Sequence, residues 1–217
     1  MGNRTSAREC HDGNLSQQEP HEVHLAATEI LRVAGMSGFH TSIIIDDREY
    51  FFDCFGIMVA PPMWSHVAGQ TRASVGMNTE VISMGRSSCT GKSLVQALWP
   101  HFMKGSYDII CKNCNSFSDA ALYFLTRNRL GCRYNRLERF VTATDPYSIR
   151  VINRLLRAPA QEGEPPAEFY VRNPEADGFD LEEVIASFDD SDSESSASDD
   201  SCESNSGHTC SLPRISG

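Results

Sequence analysis

The residue whose type and setting could do chemistry is Cys114, in the run Lys112-Asn113-Cys114-Asn115-Ser116-Phe117-Ser118. Beyond it, apolar residues fall at Phe117, Ala120, Ala121, Phe124 and Leu125, one stripe of an amphipathic helix. Asn115 or Ser116 can cap the start of that helix, with Asp119 completing a capping-box-like pair. A cysteine at a helix N-terminus faces unpaired amides and the positive end of the helix dipole, a setting that lowers a thiol pKa. Position alone also allows a buried, inert thiol. The weight comes from His40, far upstream at the start of a β-prone run. A lone histidine there is more often structural. Paired with a cysteine it has a use: a thiolate attacks a carbonyl, and the imidazole takes the thiol proton and returns it to the leaving group. Amides at the helix start then hold the oxyanion.

The elements that must position this pair can be read in outline. Val23 to Ile30 alternates loosely as a first strand, and Gly35 to Gly38 reads as a turn. Phe39 to Ile45 and Arg48 to Asp53 are two β-prone runs around Asp46-Asp47, the signal of a tight hairpin that Cys54 to Gly56 closes. Residues 57–78 are rich in Pro, Gly, Met and Ser without a clear period and read as a loop, with Trp64 exposed. Glu80 to Met84 is a short strand, and Ser88 to Thr90 can cap a helix carrying Leu94, Val95, Leu98 and Trp99. Ser106 to Cys111 reads as a strand feeding Cys114; Asn135 to Phe140 and Ile149 to Leu156 read as further helix.

Other motifs fail on spacing. Gly91-Lys92-Ser93 ends like a phosphate-binding loop, but the glycine required five places earlier is Arg86. Cys111-Lys112-Asn113-Cys114 is a C-x-x-C without a second metal-binding half, so no metal and no cofactor is expected.

The net charge of −10 is unevenly spread. From Pro159 onward fifteen acidic residues face two basic ones, and the remainder carries a small positive excess. No basic patch argues for a nucleic-acid partner. There is no apolar run long enough to span a bilayer and no secretory h-region, so the eight cysteines are expected reduced, in a cytoplasmic or nuclear protein. Residues 1–22 read as a flexible leader. Its Met1-Gly2-Asn3-Arg4-Thr5-Ser6 start fits N-myristoylation of Gly2, with Cys10 as a second, palmitoylated anchor, which would bring the protein to a membrane surface. Residues 23–157 form the expected domain and residues 158–217 an acidic, Ser-rich tail expected to be disordered. Truncation after Ala158 is accordingly expected to leave melting unchanged. Leu181, Val184, Ile185 and Phe188 interrupt the tail as a candidate docking helix for a partner.

At this point the sequence resembles the DeSI, or PPPDE, permuted-papain isopeptidases. The likeness rests on Phe39-His40-Thr41-Ser42-Ile43, Arg48-Glu49-Tyr50-Phe51-Phe52, Tyr107, and Lys112 to Ser118 with its Asn-Cys-Asn-x-Phe-Ser core, and Tyr134-Asn135-Arg136-Leu137 is similar to one branch of the family. It spans roughly residues 22–142. The resemblance implies an α/β (α+β) fold with a small antiparallel sheet packed on helices, Cys114 as nucleophile and His40 as base. It implies hydrolysis of the bond between a ubiquitin-like modifier, SUMO or ubiquitin, and a target lysine; family thioesterases that remove palmitate from cysteines offer an alternative. No third active-site residue stands out. A reading of another class is a non-catalytic adaptor tethered to a membrane.

Overall fold

A computed structural model describes residues 19–33, 35–68, 79–144 and 170–195. Five strands form one antiparallel sheet: β1 (His21–Val33), β2 (Met36–Ile45), β3 (Arg48–Asp53), β4 (Gly56–Ala60) and β5 (Thr79–Ser87), in the spatial order β4-β3-β2-β1-β5. The helices are α1 (Trp64–Ala68), α2 (Gly91–Leu98), α3 (Cys114–Thr126), α4 (Arg136–Thr144) and α5 (Leu181–Ser195), with a 3-10 turn at Pro174–Ala176. The fold is the mixed α and β architecture expected.

The Asp46-Asp47 turn is made as its residue types require. Both aspartates sit at positive φ, 56° and 54°, the mirror-image turn that matches strand twist. It pairs Ile45 with Arg48, Ile44 with Glu49 and Ile43 with Tyr50. Period-two alternation then assigns the faces. Leu25, Ala27, Thr41, Ile43, Ile45 and Phe52 point to one side, where Leu94 and Leu98 of α2, Phe102, and Phe117 and Leu122 of α3 complete the buried core. Thr28, His40, Ser42, Glu49 and Phe51 point to the other. There α1 lies over them, placing Ser65 and His66 against the sheet.

Gly91-Lys92-Ser93 is the first turn of α2, capped by Thr90 Oγ1 on the Ser93 amide. A Cβ at Gly91 would lie 2.1 Å from the Tyr50 hydroxyl, so close packing is what glycine serves there.

Several expectations are corrected. The turn falls earlier than expected: Val33 already pairs with Met36, where β2 begins. The segment 57–78 is not all loop: Cys54-Phe55 turns into β4, and α1 follows Pro61-Pro62-Met63. Ser106 to Cys111 is a turn, not a strand, with a single bridge from Asp108 to Lys112. Asp108 causes this: its Oδ1 accepts from the amides of Ile110 (2.9 Å) and Cys111 (2.8 Å), bonds that a ladder would otherwise take. Cys54, Cys111, Cys114 and Cys132 are not disulfide-bonded, but Cys89 is in a disulfide, against the expectation of reduced cysteines throughout.

The largest correction concerns residues 158–217. Residues 170–188 are built into the molecule rather than disordered. Tyr170 donates to Asp108, and the Asn173 amide donates to Asp108 Oδ2 at 2.9 Å. Val184, Ile185 and Phe188 of α5 are buried, with Phe188 edge-on to Phe124 of α3 at 5.4 Å between centroids. Arg129 bridges Glu182 of α5 (2.7 Å) and Asp119 of α3 (2.9 Å). The apolar stripe anticipated as a docking helix for a partner therefore docks on its own domain, because α3 is apolar on its outer face as well as its inner one. The domain edge moves at the other end too: His21 and Glu22, assigned to the leader, open β1. Gly2, Cys10 and the helix expected over residues 149–156 lie outside the described residues.

Candidate active site

Cys114 is the first residue of α3, and the cap is Asn113 rather than Asn115 or Ser116 as expected. Asn113 Oδ1 accepts from the amides of Asn115 (2.9 Å) and Ser116 (3.0 Å), while the Ser116 hydroxyl reaches back to the Asn113 amide. The capping box is thus Asn113 with Ser116, not Ser116 with Asp119. Asp119 instead accepts from Arg129 and from the Leu130 amide.

The first turn of α3 is fastened to β2 where that strand has an open edge. Pairing with β3 covers only Ile43 to Ile45, which leaves the edge at Phe39 to Thr41 free for other partners. The Phe39 carbonyl accepts from Asn115 Nδ2 at 3.1 Å, and the Thr41 amide donates to the Cys114 sulfur. Thr41 Oγ1 also donates to Asn115 Oδ1 at 2.8 Å and lies 2.9 Å from Ser118 Oγ. Both chain neighbours of His40 are therefore bonded to the turn that carries Cys114. The Tyr107 hydroxyl donates to the same sulfur, and its ring is braced by Phe52 at 5.4 Å between centroids.

Cys114 is 6% exposed. Burial pushes its thiol up to about 11; the Thr41 amide pulls down, the Glu138 charge pushes up and Tyr107 pulls down. The depressed pKa expected at a helix N-terminus is thus overturned: loss of hydration outweighs the donors.

His40 lies on the opposite face of β2 from Thr41. Its Nε2 is 2.7 Å from Ser65 Oγ, and Ser65 donates its one hydroxyl proton to Glu49 Oε1. The Ser65 amide donates to Glu49 Oε2 at 3.2 Å. Since the serine proton is committed to the carboxylate, Ser65 Oγ must accept from His40, which places the ring proton on Nε2 and the lone pair on Nδ1. Burial, with the neighbouring His66, lowers the His40 pKa to about 4. His66 packs 4.8 Å from the His40 ring, centroid to centroid. It bonds Thr28 Oγ1 through Nδ1 (2.7 Å) and Ser42 Oγ through Nε2 (2.9 Å). Glu49, fully buried, lies 3.5 Å from His66 Nε2.

A match to the model of the PPPDE putative peptidase domain covers residues 14–153, most of the chain. The chain belongs to the PPPDE peptidase family. No curated protein matches it. A PPPDE peptidase domain with these strands supports the hydrolase class read from the sequence. Sequence reasoning named His40 and Cys114 but missed Ser65, Glu49 and His66. A two-residue hairpin turn fixes the register of Glu49, and that register puts it on the face of His40; this signal was available. Ser65 and His66 gave none, since α1 is five residues long and lies in a stretch without period.

A cavity of about 520 Å³ lies beside the α3 turn, lined by residues that include Asn113, Asn115, Ser116, Glu138, Arg172 and Phe179. Its lining does not include Cys114 or His40, so it is an annexe to the site rather than the site.

Proposed function

We propose that this PPPDE domain is a cysteine isopeptidase that hydrolyses the bond between the C-terminus of a ubiquitin-like modifier, SUMO or ubiquitin, and a lysine of a target protein. The observation that carries the reading is the fastening of the Cys114 turn to both chain neighbours of His40, with the histidine lone pair directed to Nδ1 by Ser65 and Glu49. Cys114 is the nucleophile and His40 the base. His40 Nδ1 takes the thiol proton, and sulfur adds to the isopeptide carbonyl carbon. As the C–N bond breaks, the proton passes to the departing lysine nitrogen. Water, deprotonated by the same Nδ1, then hydrolyses the thioester and restores the thiol. The Cys114 amide, which has no intrahelical acceptor, and the Tyr107 hydroxyl are the donors next to the developing oxyanion.

The test is intact-mass labelling with electrophilic ubiquitin and SUMO probes, wild type beside Cys114→Ser. An adduct present in the wild type and absent in the variant is expected, and the probe that reacts names the modifier. Hydrolysis of a palmitoyl thioester without either adduct would replace the reading with the thioesterase alternative. No reaction with any of the three would leave the adaptor. Whether Gly2 and Cys10 are acylated is a separate proposal, decided by mass spectrometry of the protein from cells.

A further inference from the structure

One cluster carries more donor atoms than base catalysis needs. His40 of β2, Glu49 of β3 and His66 of α1 each present a ligand atom, and these atoms lie within 4.8 Å of one another. Glu49 Oε1 and His66 Nε2 are 3.5 Å apart. Donors on a single tetrahedral zinc ion sit about 3.3 Å from one another at bond lengths of about 2.0–2.2 Å, so modest side-chain rotation closes the set. Two imidazoles and one carboxylate are a donor combination of zinc chemistry. The outer contacts fit as well: Thr28 Oγ1 holds His66 Nδ1, and Thr79 Oγ1 holds Thr28 at 2.6 Å, the kind of support that orients a ligating imidazole. Among the described residues, no lysine or arginine side chain pairs with the buried Glu49 carboxylate. A buried anion without a cation is costly, and a divalent ion would supply the missing charge.

We propose that His40, Glu49 and His66 form a binding site for one divalent transition-metal ion of the zinc class, and that the ion switches the peptidase off. No motif announces this metal site, because its ligands come from three separated stretches. The switch follows from imidazole chemistry. Coordination takes the Nε2 lone pair, so the ring proton moves from Nε2 to Nδ1. An Nδ1–H cannot accept the Cys114 proton. The ion also displaces Ser65 from Nε2, and no redox change is involved. The binding half stands on geometry alone; the switching half rests on His40 being the base.

The experiment uses the full chain carrying Cys114→Ser, so that the nucleophile cannot compete as a ligand. Zinc binding is measured by equilibrium dialysis, and zinc-edge X-ray absorption reports the donor atoms. The expected result is one ion per chain with a nitrogen and oxygen shell, imidazole scattering and no sulfur. Affinity is expected to fall at least tenfold in His66→Asn and in Glu49→Gln. No bound ion, a sulfur shell, or undiminished affinity in both variants would overturn the site. Should those variants fail to fold, the absorption spectrum of the parent protein still decides between the two donor sets. Wild-type probe labelling is then compared with zinc and with a chelator. Rapid labelling with chelator and at least tenfold slower labelling with zinc supports the switch. Equal rates with bound zinc would overturn it. Absence of labelling in both conditions beside a bound ion would refute the peptidase reading, and the switch with it, and leave the metal site standing.

Discussion

At the scale of single residues, the proposed reaction divides the chemistry between Cys114 and His40, with Ser65 and Glu49 to aim it. Cys114→Ser and His40→Ala are each expected to lower isopeptide hydrolysis by roughly 10² to 10⁴-fold, the range of positioned proton transfer, with the fold intact by circular dichroism. Full activity in either variant would rule out the dyad. Ser65→Ala removes the acceptor that fixes the His40 tautomer without touching the reacting atoms. Its kcat should fall about tenfold or more with KM little changed, the acid limb of its pH profile should shift, and Ser65→Thr should restore both. A loss in Ser65→Ala without a pH shift would reduce Ser65 to packing. With the thiol near 11, iodoacetamide alkylation of Cys114 under chelator should quicken about tenfold per pH unit from 7 to 10. A plateau below pH 8 would mean the sulfur is already a thiolate at rest. The nucleophile was legible because a helix start and its cap are written in neighbouring residues. Of the aiming residues, Glu49 could have been placed from the hairpin register, but Ser65 could not, because the short α1 that carries it lies in a stretch without period.

At the scale of elements, the site exists because α3 takes over the open edge that β3 leaves on β2, and α3 is held in turn by α5. Phe188→Ala removes the ring that packs on Phe124 and should destabilise the fold by about 3 kcal/mol, read as a shift in urea midpoint with an unchanged m-value. Truncation after Ala158 should lower the melting temperature clearly; an unchanged melt would mean that α5 contributes nothing. Hairpin and helices were legible where period and turn residues agreed, as at Asp46-Asp47 and along Phe117 to Leu125. The stripe Leu181 to Phe188 was legible as a helix face, but its occupant was not: periodicity gives a face, and only the fold supplies what covers it. The false strand at Ser106 to Cys111 has a local cause, since its β-prone residues lose their amides to Asp108.

At the scale of the whole molecule, the near-neutral sheet domain and residues 170–188 of the acidic C-terminal part are one packed unit. No helix among the described residues is long and apolar enough to cross a membrane. Buried imidazoles set the pH response of the metal-free protein. The unfolded chain protonates its histidines near 6.5, whereas folded His40 does so only near 4, and the pKa values of His66 and His101 are lowered by burial too. Between those pH values the unfolded state binds more protons, so stability is retained above pH 7 and lost as pH falls below about 6.5. Each unit of depression is worth about 1.4 kcal/mol. Melting under chelator at pH 7 and pH 5 should show a drop that is smaller in His40→Gln. An equal drop in both would assign the acid sensitivity to other groups.

The placement of α5 also bears on synthesis. Chains emerge from the ribosome N-terminus first, and domains tend to fold as they appear. Here the strands, the catalytic turn and α3 are all made before residues 181–188, the segment that shields the outer surface of α3. Until that segment emerges, the growing chain displays the apolar ring of Phe124, which Phe188 later covers. A premature stop anywhere between α4 and α5 would therefore leave Cys114 and His40 present on a chain with a sticky flank, a natural substrate for chaperones and proteases.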